Sequence, residues 1–246
     1  MKDLLIRAIT GIGIVSLVVA GIIIHELTML LLVGLILLLG SLELSRMLSV
    51  KKISYILMVI ISGWSVLLFA YFLNRESFQI LWIIIPGIFL IPVLYMYARK
   101  PMPANKSALV FFLLAVFWLS VPLSLFMSLG WLEQTMSYNY SLPLILLALT
   151  WVNDTFAYLT GTLIGKHKMT PVLSPGKTWE GFFGGLVFTI LGGGLIHRMN
   201  GTYSASIWIM ISALIVGFGL LGDLFESKLK RLYNVKNSGT LLPGHG

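Results

Sequence analysis

Residues 204–246 read SASIWIMISALIVGFGLLGDLFESKLKRLYNVKNSGTLLPGHG. The run 204–225 is apolar and ends on a carboxylate, Asp223. The composition then inverts, with Lys228, Lys230, Arg231 and Lys236 in quick succession and a close on Pro243, Gly244, His245 and Gly246. An apolar run of this length crosses the roughly 30 Å hydrocarbon core of a bilayer as a helix. A carboxylate at the mouth of such a helix, beside a basic and glycine-ended segment, is equipment for handling a metal-bound polyphosphate.

Working outward, the same pattern recurs along the chain. Apolar residues make up 58% of the 246 and charged residues 11%, with a mean hydropathy of +0.95, which excludes a water-soluble domain. Runs of about 20 apolar residues fall at 7–24, 27–45, 53–73, 79–98, 107–130, 141–162, 181–197 and 204–225. The sequence therefore predicts an all-α, polytopic integral membrane protein with about eight transmembrane helices. The first run lacks a cleavage site and is read as retained. Pro86, Pro92, Pro122 and Pro143 lie in or near these runs as tolerated kinks. With the N-terminus in the cytoplasm, all but two of the 17 Lys and Arg residues, Arg75 and Arg198, fall on the inner side. The positive-inside rule thus supports both the count and the direction. Residues 1–140 form an N-terminal transmembrane region of about five spans. Residues 141–246 form a catalytic region with cytoplasmic loops 163–180 and 226–246.

The chain has no cysteine, so any metal must be held by oxygen or imidazole ligands. The net charge of +8 on a membrane protein points to anionic headgroups or phosphorylated substrates and not to nucleic acid, since no soluble basic domain is present.

Asp154 stands in WVNDTFAY, well inside the sixth run. An aspartate near the bilayer centre costs about 2.5–3.5 kcal/mol on insertion scales, so it faces a polar cavity or a partner. A purely structural partner on a neighbouring helix is the competing reading. Asp223 approaches from the same side, and two aspartates with water suit magnesium, which takes one or two carboxylates plus substrate phosphate oxygens. Glu226, three residues on, is read as an end residue paired with Lys230 at i+4. Glu43, near the inner end of the second run, either caps the bundle or lines the cavity.

The loop GKHKMTPVLSPGKTWEG, residues 165–181, supplies Lys166, His167, Lys168, Ser174 and Lys177. Gly176-Lys177-Thr178 invites a P-loop reading, but that motif needs a glycine where Pro171 stands and a strand before it. Gly217, Gly219 and Gly222 spell a dinucleotide fingerprint without its βαβ setting, so that reading fails too. The glycines of the last two runs are read as helix-packing positions. The Lys and Ser donors on a Pro/Gly-shaped loop suit phosphate oxygens. His245 is either a phosphate donor, a general acid or an ordinary loop residue, and no histidine metal cluster is expected.

These two blocks closely resemble the prokaryotic phosphatidate cytidylyltransferases, the CDP-diacylglycerol synthases. The family's closing signature is a Ser, then Lys-Arg three positions on, a basic-acidic pair, and Pro-Gly-His-Gly-Gly leading into Asp-Arg-x-Asp. It is matched by Ser227, Lys230, Arg231, Lys236, Pro243, Gly244, His245 and Gly246. The second block is matched by Asp154, Gly165 to Lys168 and Ser174 to Gly181. Lys236 is followed by Asn237 where the family has an aspartate, and the chain stops before the Asp-Arg-x-Asp run and a final apolar span. The resemblance implies that the missing carboxylates belong to the active site and that this chain is a truncated form lacking part of it.

The resemblance also implies an enzyme, a nucleotidyltransferase of the inner membrane with its active site facing the cytoplasm. It would join CTP and phosphatidate to give CDP-diacylglycerol and pyrophosphate, with Mg2+ as cofactor. Asp223 and Asp154 would bind metal; Lys230, Arg231 and His245 would act on phosphate; Ser174, Lys177, Lys166, Lys168, Ser227 and Lys236 would hold substrate. Expected partners are CTP, phosphatidate and membrane lipids, with a homodimer left open. The rival readings are another membrane CTP-dependent lipid nucleotidyltransferase, a transporter using the same intramembrane carboxylates, for which no inverted repeat is found, and a non-catalytic scaffold.

Overall fold

The computed structural model describes residues 2–50, 111, 113–131, 138–200 and 203–235. Helices dominate. They are α1 (Lys2–Ile23), α2 (Glu26–Met47), α3 (Val121–Ser128), α4 (Ser141–Leu163), α5 (Trp179–Asn200) and α6 (Ala205–Leu232). Four of them, α2, α4, α5 and α6, are long and apolar enough to cross a membrane. The runs at 53–73 and 79–98 lie outside the described residues.

The chain divides into two compact units, separated between Pro143 and Leu144, with the second unit ending at Arg231. In the first, α1 and α2 form a tight hairpin across Ile24 and His25. His25 Nδ1 accepts from Leu27 N at 3.1 Å, and Thr28 Oγ1 accepts from His25 N at 3.0 Å. The amide of Leu27 in the first turn of α2, and that of His25 before it, are thereby satisfied. A π-helical turn, Ala115–Ser120, precedes α3. Pro122 explains it: a proline ring collides with the carbonyl four residues back, and a widened turn makes room.

The second unit is built on small residues. α4 and α5 run antiparallel, with Leu149 against Gly192, Asn153 and Ala157 against Gly185, and Gly161 against Gly181. α6 returns antiparallel to α5, with Trp208 and Ser212 against Gly193 and Ser212 Oγ donating to Thr189 O at 3.1 Å. Consequently α4 and α6 run in the same direction. Along α5, Gly181, Gly185, Thr189 and Gly193 are buried, while Phe183, Val187, Leu191 and Leu195 are exposed. Small residues inside and large apolar residues outside is the pattern of a helix in lipid, where close backbone approach drives association.

The described chain is mostly helical, and within the 163–180 segment β1 (Lys168–Thr170) and β2 (Ser174–Thr178) pair antiparallel as a two-stranded hairpin. One expectation is corrected: residues 226–246 do not begin as a loop, because α6 continues to Leu232, held by buried Phe225 and Leu229 and by the Glu226–Lys230 pair at 2.6 Å. α5 starts at Trp179, close to the expected run, and Thr178 Oγ1 accepts from Gly181 N at 3.1 Å and caps it.

Candidate active site

Asp154 is an exposed residue on α4, nine residues before Leu163, and Asp223 is exposed on α6, nine residues before Leu232. At 1.5 Å per residue each carboxylate stands about 14 Å from its helix end. Because the two helices run in one direction, both are carried to the hairpin end of the unit. α6, with 28 residues, spans about 42 Å, more than the roughly 30 Å of hydrocarbon. Its last turns carry the charged residues Glu226, Lys228, Lys230 and Arg231.

Lys177, on β2, reaches across and pairs its Nζ with Asp223 Oδ2. The charges of Asp223 and Lys177 both act on Asp154, so the three groups share one electrostatic neighbourhood although 46 residues separate Lys177 from Asp223 in sequence. Asn153 Nδ2 donates to Asp154 Oδ1 at 3.2 Å and turns the carboxylate. Asn153 itself fits only because Gly185 opposite has no Cβ: one built there would stand 2.5 Å from Asn153 Oδ1. Asp154, Tyr158 and Thr162 follow one another at four-residue spacing, all exposed, so they share one side of α4. A polar track therefore runs from the carboxylate toward the hairpin.

The hairpin is pinned at both roots. Thr178, buried, caps α5 and lies against Gly161 and Gly181. His167 donates its backbone N–H to both carboxylate oxygens of Glu180, each at 3.2 Å, and its ring Nδ1 lies 2.6 Å from Glu180 Oε1. The partner of that ring nitrogen is a carboxylate, an acceptor, so Nδ1 carries the proton. Lys166 and Lys168 are exposed at the base of the hairpin, and Ser174 opens β2, half-buried.

Of the sequence-selected residues, Lys177 and Asp223 are paired, and Asp154 lies near enough for both charges to act on it. Lys230 is occupied by Glu226, one helical turn past Asp223, with Ser227 and Arg231 beside it on α6. Lys236 and His245 lie outside the described residues. The sequence reading gave no role to His167, Glu180 or Asn153. The signal for the first two was the flanking of the hairpin by GKHK and WEG. Among the described residues no group of three or more His, Cys, Asp or Glu could hold a metal ion. Two carboxylates with a neighbouring amide form the oxygen donor set here, and they suit an ion that takes its remaining ligands from water and substrate phosphate.

The model of the Cytidylyltransferase family matches residues 5–246. The chain belongs to this family. Among relatives, it is 46% identical over 115 residues to a phosphatidate cytidylyltransferase of Staphylococcus epidermidis. It is 42% identical over 118 residues to that of Staphylococcus saprophyticus and 40% identical over 116 residues to that of Staphylococcus aureus. These matches take in 46%, 47% and 46% of the chain, and the chain spans 44%, 45% and 44% of the respective relatives.

Proposed function

We propose that the protein transfers the cytidylyl group of CTP to phosphatidate, releasing pyrophosphate and leaving CDP-diacylglycerol in the membrane. The observation that carries this reading is the ion pair of Lys177 on the hairpin with Asp223 on α6, with Asp154 on α4 near enough to feel both charges. The staphylococcal relatives bear the name of this activity. The new bond joins a phosphatidate phosphate oxygen to the α-phosphorus of CTP, and the bond from that phosphorus to the pyrophosphate oxygen breaks. A phosphomonoester near neutral pH is already an anion, so no enzyme nucleophile is required.

Asp154 and Asp223 are the residues that would hold magnesium, which supplies charge neutralisation on the nucleotide phosphates. When CTP binds, Lys177 exchanges Asp223 for a phosphate oxygen. Ser174, Lys166 and Lys168 extend that contact along the hairpin, and Ser227, Lys230 and Arg231 extend it along the end of α6. Lys236 and His245 complete the phosphate contacts. The remaining catalysis is positioning and electrostatics. In this reading the chain crosses the inner membrane about eight times, its N-terminus and hairpin face the cytoplasm, and phosphatidate enters sideways from the inner leaflet.

The test is to incubate purified full-length protein with phosphatidate vesicles, magnesium and CTP labelled at its α-phosphorus. Label in the lipid, with pyrophosphate released in equal amount, is expected. Label confined to the aqueous phase overturns the reading. A panel of lipid phosphates in the same assay separates phosphatidate from polyprenyl acceptors.

A further inference from the structure

We infer that Glu180 is a positioning residue: through His167 it fixes the root of the β1–β2 hairpin, and so sets where Lys177 meets the phosphates of CTP. This inference rests on the cytidylyltransferase reading and names a residue that the reading leaves idle. Glu180 sits in the first turn of α5 and turns both carboxylate oxygens to His167, through the two backbone contacts and the ring contact described above. Its side chain is only 22% exposed, whereas that of His167 is 78% exposed. The rigid partner is therefore the carboxylate on the membrane helix, and the held partner is the incoming strand. Trp179 N donates to His167 O at 3.0 Å, so the segment entering β1 is tied to the start of α5 from both sides.

Between these ties the chain has little else to fix it. The hairpin has only two strands, pairs irregularly between Lys168 and Thr170, and turns through exposed Pro171 and Val172. An isolated two-stranded hairpin is marginal in water. Lys177 lies one residue before the Thr178 cap and opposite the strand that His167 leads into. Releasing the His167 ring and amide from Glu180 loosens the strand opposite Lys177, and the ammonium then samples positions away from Asp223.

The experiment compares the full-length parent with Glu180→Ala, Glu180→Gln and His167→Ala by amide hydrogen exchange without substrate and by steady-state kinetics with CTP and phosphatidate. In E180A the amides of His167, Lys168 and Trp179 should exchange on the order of tenfold faster, those of α5 beyond Phe183 unchanged. The KM for CTP should rise on the order of tenfold, with kcat and the KM for phosphatidate within about twofold of the parent. E180Q keeps one acceptor oxygen and should recover most of the loss. If E180A does not fold, H167A removes the ring contact from the exposed side and carries the same expectations in smaller degree.

An unchanged exchange pattern overturns the clasp. Faster exchange with an unchanged KM for CTP overturns the positioning role, as does loss of folded enzyme with KM unaltered, the result of a merely structural carboxylate. Exchange needs no substrate, so a parent that transfers no cytidylyl group removes the functional reading and the CTP half of this inference, while the clasp is decided by exchange alone.

Discussion

Replacing Gly185 by alanine tests how closely α4 must approach α5 for the charged centre to form. The added Cβ would lie 2.5 Å from Asn153 Oδ1, 3.1 Å from Ala157 Cβ and 3.2 Å from Asn153 O, against an ordinary contact of 3.4–4 Å. The first clash is relieved by swinging the Asn153 side chain, which abandons its hydrogen bond to Asp154. The other two involve the body of α4, so the helices must separate by about 0.3 Å, the difference between 3.4 and 3.1 Å.

Overpacking of this kind costs about 1–2 kcal/mol, which in a chain of this size lowers the melting midpoint by about 2–8 °C. Loss of the Asn153 contact, worth about 0.5–1.5 kcal/mol, should raise the magnesium concentration for half-maximal transfer about two- to tenfold. Gly194→Ala is the control, on the same helix with no atom within 4 Å; there alanine should hold or raise the midpoint through its better helix propensity. Both proteins are melted in the same detergent and assayed across a magnesium series. Equal shifts for G185A and G194A would refute the close-packed interface and its hold on Asp154.

Two further substitutions address the surroundings of the site. Thr178→Ala removes the cap on α5 and should cost about 1 kcal/mol, read as a midpoint about 2–4 °C lower, with Thr178→Ser restoring most of it. Glu226→Gln breaks the Lys230 pair, whose carboxylate is 54% exposed; exposed pairs of this spacing contribute about 0.3–0.5 kcal/mol, so the midpoint should move by less than about 2 °C. A larger fall would mean that the pair holds the end of α6 in place.

The membrane helices were legible because composition alone delimits them. Runs such as 27–45 and 141–162 end where charge or turn residues appear, and the described helices follow within a few residues. The end of α6 was misjudged because the basic run that signals departure from the membrane also reads as a loop, while Phe225 and Leu229 continue the helical period through it. The hairpin was hidden for a related reason. Its strands contain Pro175 and Gly176 and few β-branched residues, so strand propensity is weak, and its roots are tied instead by Thr178, the last residue of β2, and by Glu180 outside it. Asp154 and Asp223 were visible as carboxylates where an apolar run makes them costly, approaching the same side. The direct pairing of Asp223 with Lys177 was not, since it depends on the reach of a strand that the sequence did not announce. The glycine packing of α5 came through the same route as the spans, yet Gly217 and Gly219 on α6 face open space among the described residues. Small residues signal close approach without naming the side on which it occurs.

In the proposed centre Asp154 and Asp223 act together on one ion at one site. A double-mutant cycle measures it directly: the magnesium concentration for half-maximal cytidylyl transfer in the parent, Asp154→Asn, Asp223→Asn and the double variant. Shared ligation predicts that either change raises this concentration by an order of magnitude or more and that the second adds far less than the first, a coupling of about 0.5–3 kcal/mol. Factors that multiply independently, or one aspartate without effect, would contradict it.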